Sequence, residues 1–148
     1  MAVTHFRELR VYQLAFEAAM EIYTLSKVWP KEERWSLTDQ IRRSSRSICA
    51  SVAEAWKKRR YAAHFVSKLS DADSEAAETQ AWLDFARQCG YLTETEHGRL
   101  NEKYQIISGG LVKMMAEPEK WCFQADRIRE PPTAYLIDDG STEVDGDE

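Results

Sequence analysis

Seven Lys and Arg residues crowd the stretch from residue 42 to residue 60, and cations at this density are the side chains that bind phosphate groups. One acid, Glu54, lies among them. With about 100° between successive residues, a helix would place Arg42, Arg43, Arg46 and Lys57 on one face. The pattern predicts a nucleic-acid-binding surface formed by Arg42, Arg43, Arg46, Lys57, Lys58, Arg59 and Arg60.

A structural role competes with this interpretation of the cations. Glu54 and Glu78 lie among small residues, and we predict that they form structural ion pairs between helices, because a charge at a helix interface needs a partner. Their candidate partners are Arg42, Arg43 and Arg46. Under this interpretation, part of the basic stripe holds helices together instead of binding a ligand.

The four adjacent cations at residues 57–60 allow three interpretations: a solvated helix end, a nucleic-acid patch or a contact between subunits. Trp56 and Tyr61 flank them and are predicted to stack on bases if the patch binds nucleic acid. A salt titration of RNA binding separates the nucleic-acid patch from a protein contact, because phosphate binding weakens steeply as salt rises.

Other arrangements that carry chemistry are incomplete in this sequence. A di-iron bundle site needs two Glu-x-x-His motifs, and the chain has one, from Glu94 to His97, where a helix start explains the acid. Gly109-Gly110 precedes no Lys-Ser/Thr pair, so it predicts close helix packing and not a phosphate loop. No local pattern marks a nucleophile with its base. We therefore expect no enzyme activity, no metal and no cofactor.

Length and composition favour a single helical domain. The chain has 148 residues, 43% of them hydrophobic, with six Gly and four Pro, which suits one domain with a sizeable core. It shows no apolar run of membrane-spanning length and no signal-peptide pattern. Cys49, Cys89 and Cys122 have unrelated spacings, which indicates reduced thiols. These features predict a cytoplasmic protein without a membrane partner.

The net charge of −5 hides an uneven distribution. Residues 130–148 contain seven acids and no Lys or Arg, and without them 20 basic and 18 acidic residues give a net charge of +2. Residues 133–148 are predicted to be a disordered acidic tail, in which an apolar patch at residues 135–137 would contact a subunit surface. We expect this tail to compete with nucleic acid for the cations at residues 57–60.

Hydrophobic periodicity predicts four helices and no strand. The first covers residues 5–28, with Thr4 as its N-cap and Pro30 beyond its end. Trp29 and Trp35 are expected to cover one end of the core. The predicted buried stripe of this helix is Leu9, Tyr12, Phe16, Ala19, Ile22 or Tyr23, and Ser26.

The second helix is predicted to open with a capping box formed by Ser36 and Asp39. Its predicted core stripe is Leu37, Ile41, Ser44 or Ser45, Ile48, Val52 and Ala55. Small residues at Ser44, Ala50 and Ala53 would let neighbouring helices or subunits approach closely.

The third and fourth helices have the most regular patterns. Residues 62–89 carry a seam that ends before Gly90, a glycine placed to terminate a helix. Thr93 and Glu96 form a capping box that opens the fourth helix, and Pro118 stops it. The two predicted seams are Phe65, Leu69, Ala72, Ala76, Thr79, Leu83 and Ala86, then Leu100, Tyr104, Ile107, Leu111 and Met114.

Four amphipathic helices with short links predict an all-α fold, an antiparallel up-down four-helix bundle. The predicted organisation is the bundle over residues 1–118, a short extension over 119–132 and the disordered acidic C-terminal tail over 133–148.

An ordered set of residues runs through all four predicted helices. The set is Phe6, Leu9, Tyr12-Gln13, Pro30, Glu33, Leu37, Gln40-Ile41-Arg42-Arg43, Ser47-Ile48, Ala53-Glu54, Phe65, Ala72, Ser74, Glu78 and Gly90-Tyr91. In this order it resembles a family of bacterial four-helix-bundle proteins. That family includes the 23S rRNA-intervening sequence proteins and the accessory variability proteins of diversity-generating retroelements.

The resemblance implies a four-helix bundle that assembles as a homopentameric ring. It also implies RNA or DNA and a reverse transcriptase as candidate partners. We therefore hypothesise a non-enzymatic, oligomeric adaptor that binds nucleic acid or a nucleic-acid enzyme through its basic helix-two surface. The alternative is a protein–protein interaction module that binds no nucleic acid and uses its basic stripe in salt bridges.

Overall fold

The part of the chain that the structure describes forms four α-helices, as the sequence predicted. The computed structural model describes residues 2–123. The helices are α1 (Arg10–Ser26), α2 (Leu37–Lys57), α3 (Ala62–Gln88) and α4 (Glu94–Ala116). Short 3-10 turns occupy Phe6–Glu8, Lys31–Glu33 and Pro118–Lys120, and no strand occurs between residues 2 and 123. The predicted acidic tail and most of the predicted extension lie outside the described residues.

Contacts between neighbouring helices show that the bundle runs up and down. Ser51 Oγ of α2 donates a hydrogen bond of 3.1 Å to Glu75 Oε2 of α3, and Glu54 lies 2.7 Å from Lys68 Nζ. The residue number rises along α2 while it falls along α3, so the two helices are antiparallel. α4 packs against both α3 and α1, and α1 packs against α2. The four helices therefore close around one core.

The predicted seams of α2, α3 and α4 are confirmed, because every residue assigned to them is buried. Thr79, the polar member of the α3 seam, forms a hydrogen bond of 2.8 Å with Ser44 Oγ across the α2–α3 interface. Such a bond removes the cost of burying two hydroxyl groups without partners. The bulk of the core thus follows directly from the helical period of the sequence.

The ends of α3 and α4 also match the sequence. Gly90 adopts a φ of +80°, a conformation that glycine reaches without strain. Glu96 N donates to Thr93 Oγ1 over 3.1 Å, and Thr93 N donates to Glu96 Oε1 over 2.9 Å. This reciprocal pair is the predicted capping box.

The prediction for the first helix is partly wrong. Thr4 does not cap a helix there. Its backbone N–H and its hydroxyl each donate a hydrogen bond of 3.0 Å to the Glu8 carboxylate, and an extended Leu9 separates the first turn from α1. Phe16 was predicted to be buried and is 51% exposed. Ala19 is buried as predicted, and Ala15 and Ala18, which the prediction did not include, share the buried side of α1 with it. Small side chains at these positions let α1 pack closely against its neighbours, which leaves no room for a phenyl ring.

Two predictions at the start of α2 are also wrong. The Ser36 side chain makes no capping hydrogen bond, and Asp39 forms an ion pair with Arg43 over 3.8 Å. Asp is one methylene shorter than the Glu that completes a capping box, and α2 follows a 3-10 turn that sets a different entry angle. Trp29 covers the core end as expected, whereas Trp35 is 80% exposed.

Gly110 allows α1 and α4 to approach closely, as predicted for the glycine pair. A Cβ on Gly110 would lie 2.6 Å from Val11 Cγ1, which is far inside normal contact distance, while a Cβ on Gly109 would meet nothing within 4 Å. Only one of the two glycines is therefore needed for packing. Gly110 fixes the distance between the N-terminal end of α1 and the C-terminal end of α4.

Candidate nucleic-acid interface

The predicted basic stripe on α2 is divided by the structure into two parts. Near the N-terminal end of α2, Arg42 Nε donates a hydrogen bond of 2.8 Å to Ser26 Oγ of α1. The guanidinium groups of Arg42 and Arg46 lie 4.9 Å and 5.8 Å from the centre of the Tyr23 ring. These two arginines therefore hold α2 against α1. Arg43 points outward, with 74% of its side chain exposed.

At the C-terminal end of α2, the four adjacent cations behave differently from one another. Arg59 lies between two rings, with its guanidinium carbon 3.4 Å from the centre of Trp56 and 4.7 Å from that of Phe123. Its Nε also donates to Trp56 O over 2.8 Å. Burial lowers the pKa of Arg59 from its usual value. Arg59 is thus part of the packing, and the exposed cations of this group are Lys57 and Lys58.

The aromatic residues predicted to stack on bases differ in their access to a ligand. Trp56 is 5% exposed and lies in the core under Arg59, so the prediction that it stacks on nucleic acid is wrong. Tyr61 is 57% exposed, and its ring centre lies 5.3 Å from that of His64. Of the two predicted rings, Tyr61 is therefore the one that a base could reach.

The predicted partners of Glu54 and Glu78 are wrong. Glu54 forms its ion pair with Lys68 of α3, and the hydrogen bond from Lys68 lowers the pKa of Glu54. Glu78 accepts a hydrogen bond of 3.3 Å from Trp82 Nε1 on its own helix, and it has no ion pair with any residue from 2 to 123. The antiparallel register explains the partner of Glu54, because it places Glu54 of α2 beside Lys68 of α3, away from the arginines that face α1.

The tertiary structure adds cations that sequence patterns did not single out. Because α1 begins where α2 and α4 end, the segments 2–11, 57–61 and 113–123 meet at one end of the bundle. We call these three segments the basic end. They contain eight Lys and Arg residues and three acids. The cations are Arg7, Arg10, Lys57, Lys58, Arg59, Arg60, Lys113 and Lys120.

Two contacts show how closely these segments meet. Phe123 N donates a hydrogen bond of 3.2 Å to Arg59 O, which joins the end of the described chain to the end of α2. Arg10, Lys113 and Lys120 line one cleft of about 270 Å³ between α1 and α4. The sequence signal for these residues was their position near helix ends, since an up-down bundle brings alternate helix ends together.

The opposite end of the bundle has a different character. Its segments, 27–39 and 84–98, contain four Lys and Arg residues and six acids. An open groove of about 530 Å³ lies there, lined by the rings of Trp35, Trp82 and Phe85 and by Glu33. Phe85 is 58% exposed, so this end presents aromatic surface where the basic end presents charge.

The described residues offer little to a metal ion. Between residues 2 and 123, no group of three or more His, Cys, Asp and Glu side chains is arranged to hold one. His97 is the histidine of the single Glu-x-x-His motif. Its Nε2 atom lies 2.7 Å from Asp84 Oδ1, so the ring already has a hydrogen-bonding partner. In the same part of the chain, no helix combines the length and the apolar character needed to cross a membrane.

Comparisons with known proteins point to one family. A family model described as "23S rRNA-intervening sequence protein" matches residues 7–113. The fold is similar to the crystal structure of a protein with unknown function from the S23 ribosomal protein family of Bacteroides thetaiotaomicron. The two sequences are 30% identical, and the match has a TM-score of 0.65 and covers 72% of this chain and 95% of the other. No curated protein matches the sequence.

Proposed function

The chain belongs to the 23S rRNA-intervening sequence protein family, and from this premise we propose that it is a non-enzymatic, oligomeric adaptor that binds RNA. The observation that supports the proposal is the composition of the basic end, which combines eight cations and three acids from three segments. The description of the family refers to 23S rRNA, which makes RNA the first nucleic acid to test. DNA shares the phosphate chemistry and is the second.

The physical basis is the affinity of clustered cations for phosphates. Each phosphate that a Lys or Arg neutralises releases condensed counterions, so affinity rises steeply with the number of contacts. Lys57, Lys58 and Arg60 form no ion pair with any residue from 2 to 123, which leaves their charges available to a ligand. Assembly of several subunits in a ring would repeat the basic end in each subunit and multiply the number of contacts.

RNA binding at several salt concentrations tests the proposal. In the variant Lys57→Ala/Lys58→Ala/Arg60→Ala, we expect weaker binding at low salt and a shallower slope of log K against log salt, by about one unit for each lost phosphate contact. The matched control is Lys27→Ala/Lys31→Ala/Arg34→Ala, which removes the same charge from the opposite end. Equal losses in both variants, or no binding at low salt by the wild type, would refute the proposed interface.

The oligomer is a separate part of the proposal, and we expect a homopentamer. Of the small residues that suggested a subunit contact, Ser44 is buried against α3, whereas Ala50 is exposed. Phe16 and Met20 on α1 are 51% and 48% exposed, and a subunit contact would cover such apolar side chains. Native mass spectrometry at micromolar concentration measures the assembly, and a monomer would contradict it.

The groove lined by Trp35, Trp82 and Phe85 at the opposite end, which we call the aromatic groove, supports a second candidate function. An adaptor without nucleic-acid binding would use this groove to hold a protein, and the resemblance suggests a reverse transcriptase as that protein. Exposed aromatic side chains are typical anchors of protein interfaces. Moreover, Arg42 and Arg46 are already used in contacts with α1. Absence of RNA binding at low salt would favour this function over the first.

A further inference from the structure

We propose that the cleft between α1 and α4 at the basic end is the docking site for residues 134–139 of the same chain. These residues read Ala-Tyr-Leu-Ile-Asp-Asp, an apolar run followed by two acids. The cleft has matching features, because its floor is apolar and its rim is cationic. The proposal does not depend on RNA binding and can be tested without nucleic acid.

The floor of the cleft suits apolar side chains. Leu9, Val11 and Met114 form it, and Trp121 lines it as well. Gly110 sets the spacing of the two helices at this point because its missing side chain admits Val11. The volume of about 270 Å³ has room for part of a short extended segment and not for a further helix.

The rim of the cleft suits acids. Arg10, Lys113 and Lys120 are exposed there. The single acid of the lining, Glu117, lies 3.0 Å from Lys120 and balances one of the three charges. A net positive rim therefore remains, and its charge is complementary to Asp138 and Asp139, which directly follow the apolar run in the sequence.

Charge also favours this cleft over the aromatic groove at the opposite end of the bundle. The aromatic groove at the opposite end contains Glu33 and no Lys or Arg among its lining residues. An acidic segment would be repelled there and attracted at the cleft between α1 and α4. Charge complementarity of this kind fixes which surface a weak apolar segment selects.

The last described residues lie beside the cleft. Trp121 is a wall of the cleft, and Phe123, the last described residue, is hydrogen-bonded to Arg59 O at the same end. Tyr135 lies twelve positions beyond Phe123 in the sequence, a reach of about 40 Å when extended. A tether of this length raises the local concentration of the segment to about the millimolar range, so a weak site on the same chain is occupied first.

Zero-length carbodiimide cross-linking of the full chain, followed by peptide mass spectrometry, tests the docking. We expect a cross-link between Lys113 or Lys120 and Asp138 or Asp139. The pairs Lys68–Glu54 and Lys120–Glu117, at 2.7 Å and 3.0 Å, are internal positive controls. In a mixture of isotope-labelled and unlabelled protein, the link should lie within one chain, and links between chains would overturn docking within the subunit.

A pair of variants in the acidic tail separates specific docking from diffuse attraction. Leu136→Asp removes the apolar anchor while it adds an acid, so we expect at least a tenfold loss of the cross-link. The matched control Val144→Asp makes the same chemical change nearer the C-terminus and should leave the cross-link unchanged. Both substitutions lie outside the bundle, and circular dichroism checks that it stays folded. Unchanged cross-linking in Leu136→Asp, or links to Lys57 and Lys58 alone, would refute the proposal.

Discussion

The two ends of the bundle are built from the same four helices but present opposite chemistry. At the basic end, cations outnumber acids by eight to three, whereas acids outnumber cations by six to four at the opposite end. The basic end has an apolar cleft with a cationic rim, and the opposite end has an open aromatic groove beside Glu33. An up-down bundle thus places two chemically different surfaces a helix length apart.

The hydrophobic core keeps the two ends apart, and disrupting it has the largest expected effect on stability. Ile48 lies midway along α2 and is fully buried. Ile48→Asp buries a charge without a partner and should cost several kcal/mol, a large share of the stability of a domain. We expect an unfolded protein by circular dichroism. Ala77→Asp, at an exposed position of α3, should leave the melting temperature nearly unchanged, and an unchanged melting temperature in Ile48→Asp would show that the core face is misassigned.

The glycine pair of α4 tests whether the α1–α4 spacing at the basic end is as close as described. Gly110→Ala forces Val11 to move and should destabilise the protein by about 1–3 kcal/mol. Gly109→Ala meets no neighbour and should stabilise it by about 0.5–1 kcal/mol, because alanine favours the helix. Denaturant unfolding measures both changes. The second substitution Val11→Ala should restore part of the loss in Gly110→Ala, and failure to do so would place the strain elsewhere.

Within the basic end, a packed cation such as Arg59 should differ from an exposed one in its effect on stability. Because its guanidinium group is held between Trp56 and Phe123 and donates to a backbone carbonyl, Arg59→Ala should lower the free energy of unfolding by about 1–2 kcal/mol. The exposed neighbour Lys58 provides the control, since Lys58→Ala should change stability by less than about 0.5 kcal/mol. Equal effects in the two variants would mean that Arg59 is not part of the packing.

The ion pair between Glu54 and Lys68 has the smallest expected effect. The hydrogen bond from Lys68 lowers the pKa of Glu54 in the folded protein, so the pair stabilises the fold above the pKa of the unfolded chain. This stabilisation is lost as pH falls through the lowered pKa. Glu54→Gln should therefore be slightly less stable than the wild type at pH 7 and equal to it in strong acid. Glu78→Gln removes an acid without an ion pair among residues 2–123 and should show no such pH dependence.

The sequence determined the helices and most of the core of this protein. The seams of α2, α3 and α4, the glycine at position 90 and the Thr93–Glu96 capping box are all local patterns, so the helical period and the chemistry of helix ends predict them. The buried face of the first helix was harder to predict, because Phe16 and the alanines of α1 both have helical spacing. The packing of α1 against α2 and α4 decided which of them faces the core.

The tertiary structure alone decided what each charge does. Sequence spacing placed Arg42, Arg43, Arg46 and Lys57 on one face. It could not show that Arg42 and Arg46 would lie against the Tyr23 ring, or that Arg42 would donate a hydrogen bond to Ser26. Likewise, the partner of Glu54 depends on the antiparallel register of α2 and α3. The basic end itself joins residues from three distant segments, and a contact between distant segments exists only once the chain has packed, because local patterns carry no information about which helix ends will meet.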